Sequence, residues 1–172
     1  MGNPFHIEKF RQGVTAWNKW RAANPNDVPD FSGDDLREQI GSWNKSREAN
    51  PEEKPDFSNA NFSEANLKGA NLSRANLSKA ILAKANCSTA KFMWANLELA
   101  HLENSSLMNT NFAGADLSGA DLTKANLYMA ELGGANLKGA TLSGANLKGA
   151  KLLWCEAHVG DSQTCETKGS NS

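Results

Sequence analysis

Any chemistry in this chain would have to come from three histidines, three cysteines and many serines. The histidines, His6, His101 and His158, are scattered. Serines such as Ser73, Ser78 and Ser118 recur at fixed, outward-reading positions, and no histidine or aspartate is placed to activate them as nucleophiles. Cys155, His158 and Cys165 fall in one short stretch, but their spacing is not that of a zinc site. Gly133-Gly134 and Gly139 follow a regular five-residue beat rather than a phosphate-cradling loop, and glycine on such a beat belongs to turns. Paired carboxylates for acid–base work are missing from any one face. The sequence therefore predicts no catalytic residue, no cofactor and no metal site, and so no enzyme.

The elements that would position such residues are dominated by that beat. From Phe57 to Leu152 a bulky residue, nearly always Leu or Phe, recurs every five positions, giving twenty repeats. Alanine stands two residues before each, except at Pro55, Ser105 and Thr110. A helix face recurs at three and four residues and a strand face at two, so a period of five fits neither. A short strict period with one large and one small apolar residue per unit marks a solenoid whose coils stack into a continuous core. Leu or Phe and Ala point inward; the other three positions face water. Cys87 stands at a Leu position and reads as a small buried hydrophobe. Ser105 and Thr110 read as small polar stand-ins for Ala, bonded to the coil backbone.

Units such as Ala65-Asn66-Leu67-Lys68-Gly69 and Ala145-Asn146-Leu147-Lys148-Gly149 resemble the pentapeptide repeat family, whose unit is Ala-(Asn/Asp)-Leu-x-x. The resemblance covers residues 55–152. It implies an all-β solenoid, a right-handed quadrilateral β-helix with four repeats per coil and about five coils. At roughly 4.8 Å per coil the rod would be on the order of 24 Å long.

Residues 1–54 differ in kind and read as a two-helix cap with an internal duplication. Asn3-Pro4 opens the first helix. Ile7, Phe10, Val14 and Trp17 share one of its faces, and Asn24-Pro25 stops it. A second helix is expected from Ser32, with Asp35 in a capping-box-like place, running to Asn50-Pro51. The stretch Trp17-Asn18-Lys19-Trp20-Arg21-Ala22-Ala23-Asn24-Pro25 recurs 26 residues later as Trp43-Asn44-Lys45-Ser46-Arg47-Glu48-Ala49-Asn50-Pro51. Each copy leads to a Pro-Asp-Phe-Ser tetrapeptide. The module resembles segments that precede pentapeptide repeats in cyanobacterial proteins. An open coil end invites pairing with other chains, so a lid is the expected role of these helices. Trp20 and Arg21 are expected on the lid's exposed side.

Residues 153–172 lose the period and read as an irregular tail, in which Cys155 and Cys165 are a candidate disulfide pair. No apolar run is long enough to span a bilayer, and the polar amino terminus is no secretory signal. With only three cysteines, these features point to a reducing cytoplasm.

Charge narrows the function. The chain carries 18 basic and 19 acidic residues, and residues 55–152 carry nine basic against seven acidic. That balance is too weak for strong nucleic-acid binding, and it has the wrong sign for a DNA mimic that modulates a topoisomerase, the alternative the resemblance raises. The expected function is a non-catalytic protein-binding or scaffold module, monomeric or weakly dimeric, acting on neither nucleic acid nor membrane. Its candidate partner surface is the set of large apolar residues at outward positions: Met93, Trp94, Leu99, Met108, Tyr128 and Met129.

Overall fold

The computed structural model describes residues 1–153. From Asp56↔Asn76 to Glu131↔Lys151 the chain returns on itself in parallel bridges between residues twenty apart. The bridging residues form four columns, headed by Asn61, Asn66, Asn71 and Asp56. Each five-residue unit supplies one column position and one corner.

The chemistry of the unit explains both. The asparagine or aspartate Oδ1 accepts the N–H two residues on, as at Asn61 to Ser63 (3.0 Å) and Asp116 to Ser118 (3.0 Å). This side-chain turn bends the chain at the corner. A β-turn closes it, the Ala60 N–H meeting the Phe57 carbonyl at 3.0 Å, with Asn59 left-handed at φ 58°. Asparagine and glycine tolerate that conformation best. The column residue is then straight enough to pair with its neighbours: Leu67 donates to the Asn86 carbonyl at 2.8 Å, and Asn86 donates to the Ala65 carbonyl at 2.9 Å.

Inside, the Leu, Phe and Ala positions are buried through Ala140. Cys87 is fully buried, and Phe92 stacks on Phe112 one coil on, with ring centroids 5.2 Å apart. The two polar substitutes for alanine are satisfied by backbone. The Ser105 hydroxyl donates to the Leu102 carbonyl at 2.6 Å, and that of Thr110 to the Cys87 carbonyl at 2.9 Å.

The amino-terminal region departs from expectation in three ways. It holds three helices rather than two: α1 (Pro4–Arg11), α2 (Val14–Ala23) and α3 (Arg37–Ala49). The expected first helix breaks at Gly13, whose φ of 92° excludes helix. A Cβ there would lie 2.5 Å from the Ser46 hydroxyl, which instead accepts the Val14 N–H at 3.0 Å. Second, Ser32 starts no helix. Asp30 and Asp35 bridge to Asn61 and Asn66, so Phe31 and Leu36 are two further repeats, with Phe31 stacked on Phe62 at 4.6 Å. Phe31 stands in the same Pro-Asp-Phe-Ser tetrapeptide as Phe57, the first repeat, whereas Leu36 falls inside the helix expected from Ser32. Third, Trp20 and Arg21 are buried, not exposed.

Between Leu36 and Asp56 the chain omits one strand position, and α3 lies in its place over the Asn71 column. Three side chains of α3 supply the missing backbone groups. The Trp43 indole N–H donates to the Asn71 carbonyl (2.9 Å), the Asn44 Oδ1 accepts the Asn71 N–H (2.8 Å), and Arg47 donates to the Ser73 carbonyl (2.8 Å). Arg47 also ties down the following loop through the Asn50 and Glu53 carbonyls. Helix α2 repeats the device over Asp56. The Trp17 indole donates to the Asp56 carbonyl (2.8 Å), the Asn18 Oδ1 accepts the Asp56 N–H (3.3 Å), and Arg21 reaches the Asn24 and Asp27 carbonyls. The sequence duplication is thus a duplicated clamp, each helix covering a strand edge that would otherwise be open. α1 completes the lid by stacking Phe10 flat on Trp43, centroids 4.4 Å apart.

Candidate docking surface

The register distributes the six large apolar residues over three successive corners. Met108, Tyr128 and Met129 lie at the corner after the Asn66 column, Met93 and Trp94 after the Asn71 column, and Leu99 after the Asp56 column. Met108 and Tyr128 share a corner one coil apart, and Met93 and Trp94 are one corner on. Leu99 is two corners from Met108 and stands apart from it.

Trp94, Leu99 and Met129 are 60%, 46% and 47% exposed; Met93, Met108 and Tyr128 are half-buried. The three exposed residues are left-handed, at φ 55°, 57° and 57°, each at a cost of about 1–2 kcal/mol for a residue bearing a Cβ. Each lies over a glycine twenty residues on. A Cβ on Gly114 would come within 2.6 Å of the Trp94 ring, one on Gly119 within 2.7 Å of Leu99, and one on Gly149 within 2.7 Å of the Met129 sulfur. The glycines are the seats of the side chains above them.

Trp94 is the most developed of these points. The Arg74 guanidinium lies over its ring, 5.6 Å from the centroid, in a cation–π contact. Arg74 pairs with the exposed Glu52. Lys54, Arg74, Ala75, Asn76, Trp94 and Asn96 line a shallow open cleft of about 420 Å³. Lys54 makes no ion pair among the described residues. The periodic reading picked out Trp94 but missed Lys54 and Arg74. The signal available for Arg74 was its place twenty residues before Trp94.

Burial pushes the Cys87 thiol up to about 12, leaving it inert as a nucleophile. His101 is exposed and meets Glu103 at 3.1 Å. Ser73 is buried under α3 rather than outward. His6 is buried among Phe5, Trp20 and Phe31, its Nδ1 accepting the Asp30 N–H at 3.0 Å. Among the described residues no cluster of three or more His, Cys, Asp or Glu is arranged to hold a metal. Cys155, His158 and Cys165 lie outside the described residues.

Twenty-residue parallel pairing and an interior of Leu, Phe and Ala define a β-solenoid repeat protein. The family model described as pentapeptide repeats matches the chain in eight copies over residues 56–92, 90–128 and 122–155, and the chain belongs to that family. No curated protein matches the chain. Among solved structures, the pentapeptide repeat protein alr5209 from Nostoc PCC 7120 is 28% identical over 60% of this chain and 86% of its own, with a TM-score of 0.52. QnrB1, a plasmid-mediated fluoroquinolone resistance protein, is 27% identical over 59% of this chain and 49% of its own, with a TM-score of 0.53. A pentapeptide repeat protein from the Arabidopsis thaliana thylakoid lumen is 33% identical over 55% of this chain, with a TM-score of 0.41. The match spans 63% of that lumenal chain and 49% of QnrB1. No helix of the described residues is long and apolar enough to cross a membrane.

Proposed function

We propose that this protein is a non-catalytic docking rod. Residues 55–152 form a right-handed quadrilateral β-helix of about five coils, residues 1–54 close its first end, and a protein partner binds at the corners that carry Met93, Trp94, Met108, Tyr128 and Met129. Leu99 forms a separate, smaller contact point. The observation that carries this reading is the placement of Trp94. It is a large, exposed aromatic held left-handed at a corner where the next two coils have glycine, at Gly114 and Gly134. The solenoid does not need it there. The near-neutral charge of residues 55–152 speaks against mimicry of DNA.

The test is affinity capture from cells of the source organism with the full chain and with a Trp94→Ser/Tyr128→Ser double variant. The two corners stand outside the buried core, so the variant is expected to fold as the parent does by circular dichroism and to lose a partner that the parent retains. Retention of every captured protein by the folded variant would remove this surface from consideration.

A further inference from the structure

The cleft beside Trp94 has a chemistry that specifies what it would accept. Its lining combines one broad aromatic face, two cationic side chains and two asparagines, with no carboxylate. Arg74 already holds a carboxylate, that of Glu52, while its guanidinium lies over the Trp94 ring. The Glu52 side chain is 82% exposed, and exposed pairs of this kind contribute only about 0–1 kcal/mol, so Glu52 is readily exchanged for another carboxylate. Lys54 is left without an acidic partner among the described residues. Asn96 uses its Oδ1 on the Glu98 N–H at 2.9 Å, which leaves its amide N–H groups as donors.

Resting on the docking reading above, we infer that the Trp94 cleft binds an acidic segment of a protein partner. One apolar or aromatic side chain of that segment lies on the Trp94 face, and its flanking carboxylates pair with Arg74 and Lys54, displacing Glu52. Charge complementarity selects this occupant. Two cations beside one aromatic ring suit one or two carboxylates near an apolar anchor. They are too few for a nucleic-acid track, which needs a run of phosphate contacts. Gly114 belongs to the same device, because its missing Cβ is what lets the indole lie down along the rod.

The experiment uses the full chain labelled with ¹⁵N at its indoles, with the Trp94 signal assigned through Trp94→Phe. Three synthetic twelve-residue peptides are titrated, each with a central Phe and Leu. One has flanking glutamates, one glutamines in their place, and one lysines. Inorganic phosphate and a single-stranded oligonucleotide serve as other anions. The glutamate peptide is expected to shift the Trp94 signal saturably, and the other four probes to leave it in place. Arg74→Gln and Lys54→Gln are each expected to weaken the glutamate peptide about tenfold, the scale of a lost charge pair. Glu52→Gln, which frees Arg74, is expected to tighten it. The inference is overturned if the glutamine peptide binds as well, if phosphate or the oligonucleotide gives the same shift, if Arg74→Gln binds unchanged, or if no probe moves Trp94. Its failure is separable from that of the docking reading. A partner whose capture needs Trp94 and Tyr128 but survives Lys54→Gln/Arg74→Gln would retain the surface and discard the acidic segment.

Discussion

Trp43→Phe tests whether α3 stands in for a strand. The substitution keeps a flat ring against Phe10 but removes the indole N–H that pairs with the Asn71 carbonyl at 2.9 Å. Trp43 is fully buried, but Asn71 is half-buried, so water replaces that donor only in part. A buried acceptor left unpaired costs about 1–3 kcal/mol, which bounds this loss from above. The smaller ring also leaves a void beneath α1, worth about 1 kcal/mol more by the usual scale of partial core truncation. The expected loss is therefore about 1–4 kcal/mol, or up to roughly 15 °C in Tm for a chain of this size. Solenoids can lose structure from one end, so the loss should appear first at the clamp. Hydrogen exchange at Asn71, whose N–H is held by Asn44, is expected to accelerate well before exchange at Leu117 or Leu122 in the middle of the rod. Trp17→Phe, which removes the equivalent bond to Asp56, should behave alike. A Trp43→Phe protein within about 0.5 kcal/mol of the parent, the spread of ordinary surface substitutions, with exchange at Asn71 unchanged, would refute the strand-substitute argument.

Three further outcomes follow from particular residues. Thr89 is β-branched, exposed and left-handed at φ 58°, so Thr89→Gly is expected to raise stability by about 1 kcal/mol in a denaturant melt; a loss would show that the corner is not strained. Burial holds His6 below its ordinary value against the opposing pull of the Asp27 and Asp30 carboxylates, Arg21 adding a smaller push downward. Neutral His6 therefore stabilises the fold fully above pH 6.5, and this contribution is lost as pH falls from there through the lowered folded value. The melting temperature of the parent should drop more steeply than that of His6→Gln over that window, and parallel profiles would contradict the assignment. Cys87, fully buried with its thiol pushed up to about 12, should resist alkylation at pH 8 until the protein is unfolded; rapid labelling of the native chain at this residue would show that the core opens.

Much of the rod was legible because its information is local and periodic. A strict beat of Leu after Ala fits only one kind of interior, and even the exceptions at Cys87, Ser105 and Thr110 could be read from their size and polarity. The lid was harder. The break at Gly13 depends on the Ser46 hydroxyl, 33 residues away, and the burial of Trp20 and Arg21 depends on contacts with Phe5, His6 and Asp56. The Leu36 repeat was hidden by the helix expected from Ser32, although Phe31 shares the tetrapeptide of Phe57. Ser73 occupies an outward repeat position but is covered by α3, which no five-residue pattern reveals. At the docking surface the large residues were visible one by one. With four repeats per coil, the stacking of Met108 on Tyr128 and the place of Met93 and Trp94 one corner on were also legible; the glycine seats and the cations around Trp94 needed the structure.

Site-specific photo-crosslinking tests the central claim most directly. A benzophenone side chain is placed in turn at positions 94, 128, 84 and 124 of the full chain in cells of the source organism. Positions 94 and 128 lie on the proposed docking corners, whereas Lys84 and Lys124 lie on the corner after the Asn61 column. Crosslinks to one protein from 94 and 128, with none from 84 and 124, are the expected result. Crosslinks to that protein from 84 and 124, with none from 94 and 128, would contradict the account.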